Sequence, residues 1–376
     1  MTAKIKLHIV AFNVPYPANY GGVIDIFFRV KALWRSGAKI HLHCFQYGRG
    51  EQPILDKYCE KVYYYKRGEG VRYAFKSSPY IVATRNNPGL LENLCAIKAP
   101  IIFEGLHTCY FLGHPLLEGY TKVIRMHNIE HDYYNGLARA ESNIPRKVYF
   151  RREAIKLKQF EQEALKKADL LLAISPSDQK YFEQIHPKSY FMPAFHSHDE
   201  VLAKKGRGDY ILFHGNLGVA ENQKAVLFLI QQVLSDEKFP AIIAGMDPPQ
   251  KLRRAIKKYR HIKIVANPAA REMGELISNA HICILPTFQP TGLKLKLIDS
   301  LFAGRFCLAN STMVKETGLE GLCIIADTPS ELKTAIKNTW GKEFSEDDLN
   351  KRKNILGSVF SNNLYAQRLC NLIDEV

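Results

Sequence analysis

The chain has no run of the roughly 18 to 20 consecutive apolar residues that a membrane-spanning helix needs. None of its eight cysteines forms a C-x-x-C pair. A structural zinc site is therefore not expected, and cysteines inside apolar runs such as HICIL and RFCLA read as small buried hydrophobes in a reduced, cytoplasmic compartment. There is no G-x-G-x-x-G, so a dinucleotide site is poorly supported. No short-period repeat or low-complexity segment appears. The opening MTAKIKLHIVAFNV lacks a small-residue cleavage site and reads as a first strand rather than a signal peptide. What remains is 376 residues, 46% hydrophobic and 24% charged, enough for two globular domains.

Negative charge is also scarce. The formal net charge is +15, concentrated at residues 144–170 and at 251–263, where seven basic residues stand without an acid. Such an excess suits an anionic partner. Two readings stay open: solvated helix faces, or attraction to an anionic membrane surface or acceptor. Nucleic acid is not expected, because no aromatic-interleaved recognition motif accompanies the charge.

Along the chain, strand-like runs alternate with helical periodicity. KLHIVAFNV, the loop PYPANYGG, the helix DIFFRVKALWRSG and the strand KIHLHCF form the unit of a parallel α/β sheet. APIIFEG, TKVIRMHN and DLLLAIS continue it, and a long helix from about Val148 to Lys167 precedes the last of these. Residues 193–209 are polar and lack periodicity. The rhythm then restarts with the strands YILFHGN, AIIAGM, IKIVAN, ICILP, RFCLAN and LCIIA. The expected domains are 1–195 and 209–355, with a linker at 196–208 and a helical segment at 356–376.

Four places carry chemistry. Gly21 and Gly22 follow the first strand, where glycine lets backbone approach a ligand and a helix start favours anions. His127 closes the strand TKVIRM, and ligands of open α/β sheets bind beyond the carboxyl ends of strands, so its position suits a catalytic or ligand-contacting residue. The string from His127 to His131 also spells the zinc-protease pattern H-x-x-E-H. That pattern needs both histidines on one helix, so a metal is not expected. Gly215 and Asn216 begin a second backbone cradle. In PTFQPTGLKLKLIDSLFAGRFCLANS, the loop with Thr291 and Gly292 leads into a helix whose start carries Lys294 and Lys296. Asp299 lies three residues after Lys296, on the same face. Lysines at a helix start hold phosphates, and a nearby carboxylate accepts hydrogen bonds from ribose hydroxyls.

In this order, PYPANYGG, RMHNIEHDYY, DLLLAISPSD, FHGNLGVAEN and TGLKLKLIDSLFAGRFCLANSTMVKETGLEG resemble the family 4 retaining glycosyltransferases, over nearly the whole chain. The resemblance implies an α/β protein of the GT-B fold, with two Rossmann-like, doubly wound parallel-sheet domains facing across a cleft. It implies a nucleotide-diphosphate sugar as donor substrate, no separate cofactor or metal, and a glycan or lipid-linked hydroxyl as acceptor. It implies a last helix packed on the N-terminal domain. Gly21 and Gly22 would face the donor phosphates, and His127 would stand beside the transferred sugar. Gly215 and Asn216 would line the diphosphate with Thr291 and Gly292, Lys294 and Lys296 would neutralise it, and Asp299 would bind the ribose. No D-x-D signature stands at a strand end. The chain departs from the family where Thr291 replaces a Glu, Asn216 an Arg and Asn222 a Lys. A nucleotide-sugar epimerase of the same fold and a catalytically silent nucleotide-sugar binder docked on a membrane remain as alternatives.

Overall fold

The computed structural model describes residues 5–236, 238–288 and 295–376. The chain divides into two compact units, 1–197 with 362–376, and 198–361.

In the first unit seven parallel strands form one sheet: β1 (Lys6–Ala11), β2 (Lys39–Gln46), β3 (Lys61–Lys66), β4 (Ile101–Glu104), β5 (Lys122–Met126), β6 (Leu170–Ala173) and β7 (Ser189–Phe191). Their order is β3-β2-β1-β4-β5-β6-β7. β4 (IIFE) and β6 (LLLA) are buried at every residue, the pattern of strands covered on both faces. Three helices matter for the site: α1 (Gly21–Arg35), α2 (Glu130–Ala140) and α3 (Ile144–Ala164). The C-terminal helix Asn362–Asp374 packs against α1 through Tyr365, Ala366 and Leu369, within the first unit's core. Asn362 fixes its start by bonding both the backbone N–H and the carbonyl of His196.

The second unit has six parallel strands: β8 (Ile211–His214), β9 (Ala241–Gly245), β10 (Ile262–Ala266), β11 (Ile282–Leu285), β12 (Phe306–Ala309) and β13 (Ile324–Ile325). Their order is β10-β9-β8-β11-β12-β13. Helices α4 (Ala220–Phe228) and α5 (Leu295–Ala303) follow β8 and the β11 loop. Residues 198–208, polar and aperiodic in sequence, pack within this unit. Leu202 N–H bonds Phe302 O, Gly206 pairs with Phe344, and Gly208 N–H reaches His281.

Both sheets reverse direction of growth once. In the first unit the reversal lies between β1 and β4, and in the second between β8 and β11. A doubly wound sheet opens a crevice at that point, because the connections on either side leave in opposite directions.

Candidate functional sites at the strand reversals

At the first reversal β1 runs into Phe12, whose ring lies 5.2 Å from that of His107 and 5.4 Å from that of His127. Arg85 donates to the Phe12 carbonyl through Nε (3.2 Å) and Nη2 (2.9 Å). α1 begins at Gly21, so the Gly-Gly pair is its first turn rather than a loop before it. A Cβ on Gly22 would lie 2.5 Å from Phe12 Cζ. Glycine is what lets the helix start come this close to the end of β1. The turn holds no acidic side chain, so its positive dipole end is not neutralised locally.

Beneath this turn lies a closed network of charges. Asp25 Oδ1 accepts from Arg125 Nη2 (3.1 Å) and Phe195 N–H (2.8 Å), and Oδ2 accepts from Arg29 Nη1 (3.1 Å) and Arg125 Nε (3.2 Å). Glu104, the last residue of β4, accepts from Arg29 and from His127 Nε2, the latter at 2.9 Å. Burial by itself raises the Asp25 carboxyl, but the Arg125 and Arg29 guanidiniums outweigh it and hold it well below the usual carboxylate range. Both arginines and both carboxylates are fully buried. Removing one partner would strand a charge out of water, which costs about 3–5 kcal/mol.

His127 sits directly after β5 and is 4% exposed. A carboxylate only accepts, so Nε2 carries the proton that Glu104 takes. Nδ1 faces Asp25 Oδ2 at 4.0 Å. Both ring nitrogens thus turn into the charge network, and Phe12 covers the ring edge-on. Asp25, Glu104 and His127 have the spacing of a metal-ligand set. Every carboxylate oxygen of that set already accepts from an arginine, His127 or a backbone amide, which makes it an ion-pair network. The H-x-x-E-H string divides here as well: His131 lies 3.2 Å from Glu161, away from His127's partners.

Beside His127, Glu130 opens α2 and is 2% exposed. Burial, reinforced by Glu161, pushes its carboxyl up to about 8. Its Oε1 lies 3.9 Å from His107 Nδ1, and burial holds His107 well below the usual imidazole value. Burial thus favours the neutral form of both groups at this edge of the site.

At the second reversal two strand-end glycines touch. A Cβ on Gly245 would fall 1.7 Å from the Gly215 carbonyl oxygen. Leu217 N–H bonds Met246 O at 2.8 Å, so the loop after β8 is pinned to the end of β9. Asn216 Oδ1 accepts from Gly218 N–H at 2.9 Å, and Asn222 Nδ2 donates to the Asn216 carbonyl at 2.9 Å. Lys296 Nζ then donates to Asn222 Oδ1 at 3.0 Å. One turn later Asp299 Oδ1 accepts from His198 Nε2 at 2.8 Å, and the His198 ring stacks on Phe302. Ser300 Oγ and His214 Nε2 are 2.8 Å apart, and burial pushes His214 down to about 4. α5 is therefore tied to the end of β8 through His214 and to the start of α4 through Asn222. Glu221 ties the β11 loop to α4, accepting from Thr287 Oγ1 and Phe288 N–H.

Of the residues marked by sequence, Gly21, Gly22 and His127 come together in the first unit. Gly215, Asn216, Lys296 and Asp299 come together in the second. Thr291, Gly292 and Lys294 lie outside the described residues. Asp25, Arg29, Glu104, Arg125, His198, His214 and Ser300 were not legible as site residues. The one signal available was polar residues interrupting apolar runs: Glu104 ends IIFE and Arg125 interrupts VIRM.

No family profile matches the chain. A search of solved structures finds TarM at TM-score 0.69, with 10% identity over 99% of both chains. A glycosyltransferase from Rickettsia africae matches at 0.66, with 12% identity over 100% of this chain and 99% of that one. The fold is that of the GT-B glycosyltransferases. Arabidopsis thaliana UGT89C1, solved with UDP-L-rhamnose, shares the GT-B fold at 0.58, with 10% identity over 99% of this chain and 100% of that one. In sequence, the chain is 26% identical over 341 residues to an uncharacterized 44.6 kDa protein in the cps region of Klebsiella pneumoniae, covering 83% of this chain and 84% of that protein.

Proposed function

We propose that the chain is a glycosyltransferase that moves a sugar, a hexose in the simplest case, from a nucleoside-diphosphate donor to a hydroxyl of a glycan or lipid-linked acceptor. The observation that carries this reading is the Lys296–Asn222–Asn216 chain at the second strand reversal. A lysine at a helix start beside a glycine cradle neutralises a diphosphate, and Asp299 one turn on suits ribose hydroxyls. The relative from a cps region supports a place in cell-surface polysaccharide synthesis.

In the proposed step the bond between the anomeric carbon and the diphosphate oxygen breaks. The acceptor oxygen bonds to that carbon and its proton leaves with the diphosphate. Lys296 and the amides of the β8 loop stabilise the departing charge without a metal. Retention of anomeric configuration follows the family resemblance. His127, whose Nε2 bonds Glu104, acts as a positioning residue beside Phe12 at the β5 end.

The test is product analysis with a panel of nucleotide sugars and a mixed glycan acceptor. The reading requires nucleoside diphosphate release coupled to a new glycosidic bond, with Lys296→Ala slowed by about 100-fold. Interconversion of the sugar without transfer would replace this reading with an epimerase.

A further inference from the structure

α3 is apolar on two opposite sides. Ala154, Leu157 and Ala164 face inward and are buried. Ile144, Val148 and Ile155 recur at positions i, i+4 and i+11, which places them in one line on the opposite side. They are 74%, 44% and 62% exposed. The short 3-10 helix Val71–Phe75, none of whose residues is buried, lies alongside α3. Lys156 Nζ on α3 donates to Ala74 O at 2.8 Å, and Glu153 accepts from Tyr80 N–H at 2.6 Å, so the two segments are clamped together. Phe75, which the clamp holds beside α3, is 83% exposed, and Val71 is 73% exposed.

Charge within these two segments is mainly positive, with Glu141 just outside them paired to Arg146. Residues 70–80 and 144–158 carry eight lysines and arginines against a single carboxylate, Glu153, which is buried and engaged. Arg151 lies within the apolar line and Arg152 beside it. Solvated surface helices place charge outward and aliphatic side chains inward. Here five large apolar side chains stand outward among cations with no exposed acid in either segment. Apolar side chains to enter an interface and cations to meet anionic headgroups describe a surface that lies on a lipid bilayer. A protein partner of acidic character would satisfy the cations but gives no reason for Phe75 and Val71 to project at the tip of a short turn.

We propose that the face formed by Val71, Phe75 and the outer line of α3 docks the protein on an anionic membrane, with Phe75 and Ile155 inserted at the headgroup boundary. No helix among the described residues is long and apolar enough to cross a membrane, so this attachment is peripheral.

The test is co-sedimentation of the full chain with vesicles of phosphatidylcholine alone and of equal parts phosphatidylcholine and phosphatidylglycerol. Binding is expected to the anionic vesicles and not to the neutral ones. Two double variants, Phe75→Ser with Ile155→Ser and Arg151→Glu with Arg152→Glu, should each weaken it by about tenfold or more. Their melting temperatures should match the wild type, because all four side chains are exposed. Failure of the wild type to bind anionic vesicles overturns the proposal. So does undiminished binding by the Phe75/Ile155 variant, which would reduce the effect to bulk charge attraction.

Discussion

Lys296 Nζ and Asn222 Oδ1 stand 3.0 Å apart, joining the first turn of α5 to the first turns of α4. The resemblance places a family lysine at position 222. In this chain an amide occupies it, and the remaining ammonium binds that amide. Lys296 is therefore the cation that this structure ties to the β8 loop, through Asn222. Lys296→Ala should weaken nucleoside diphosphate binding by about tenfold to a hundredfold, the range for losing one hydrogen bond to a charged group. Isothermal titration measures it, and unchanged affinity would move the diphosphate elsewhere.

Gly22 and Phe12 are in steric register, and Phe12 lies against both His107 and His127. Gly22→Ala should push the Phe12 ring and lower turnover several-fold. Phe12→Ala opens the space the new methyl needs. The double variant should lose less than the two single losses combined, as contacting residues do. Additive losses would show that Gly22 acts on a ligand rather than through Phe12.

Glu104 fixes the His127 tautomer, and Arg29 holds Glu104. His127→Ala should lower kcat by about a hundredfold with a smaller change in donor KM. Glu104→Gln should lower kcat less but should also reduce stability by about 3 kcal/mol, since it takes from buried Arg29 one of its two charged partners and leaves only Asp25. Denaturant unfolding separates the two effects. Equal stability of both variants and wild type would contradict the closed network.

Much of the architecture was legible in the sequence. Buried parallel strands read as short continuous apolar runs, and IIFE, LLLA, ILFH and ICIL are all of that kind. β3 was not legible, because KVYYYK neither alternates nor runs aliphatic. β7 is only three residues long. The start of α1 was placed too late because two glycines look like a turn until Phe12 packs against them. The sites divide in the same way. Glycines and lysines at strand ends announce themselves by spacing. Asp25, Glu104 and Arg125 are brought together from positions as much as a hundred residues apart, and no local pattern encodes that meeting.

Glu130 gives a pH signature. Its ordinary value is 4.5 and burial pushes it up to about 8. Between these values the unfolded chain has released a proton that the folded chain keeps, so stability falls as pH rises through the window. Glu130→Gln removes that dependence. Relative to wild type, the variant should gain stability as pH rises from about 4.5 to about 8 and hold a constant difference above it. Parallel stability curves would show that Glu130 is ionised in the folded protein.

The second strand reversal is expected to bind a nucleoside diphosphate, which thermal shift with nucleoside diphosphates and their sugar conjugates measures. A ligand that binds only the folded protein raises its melting temperature, by about 2.7 kcal/mol of added stability at a hundred times Kd. At least one base should raise the melting temperature of the wild type, with the shift largely lost in Lys296→Ala. Failure of every nucleoside diphosphate and conjugate to move the wild type would show that this reversal is not a nucleoside diphosphate site.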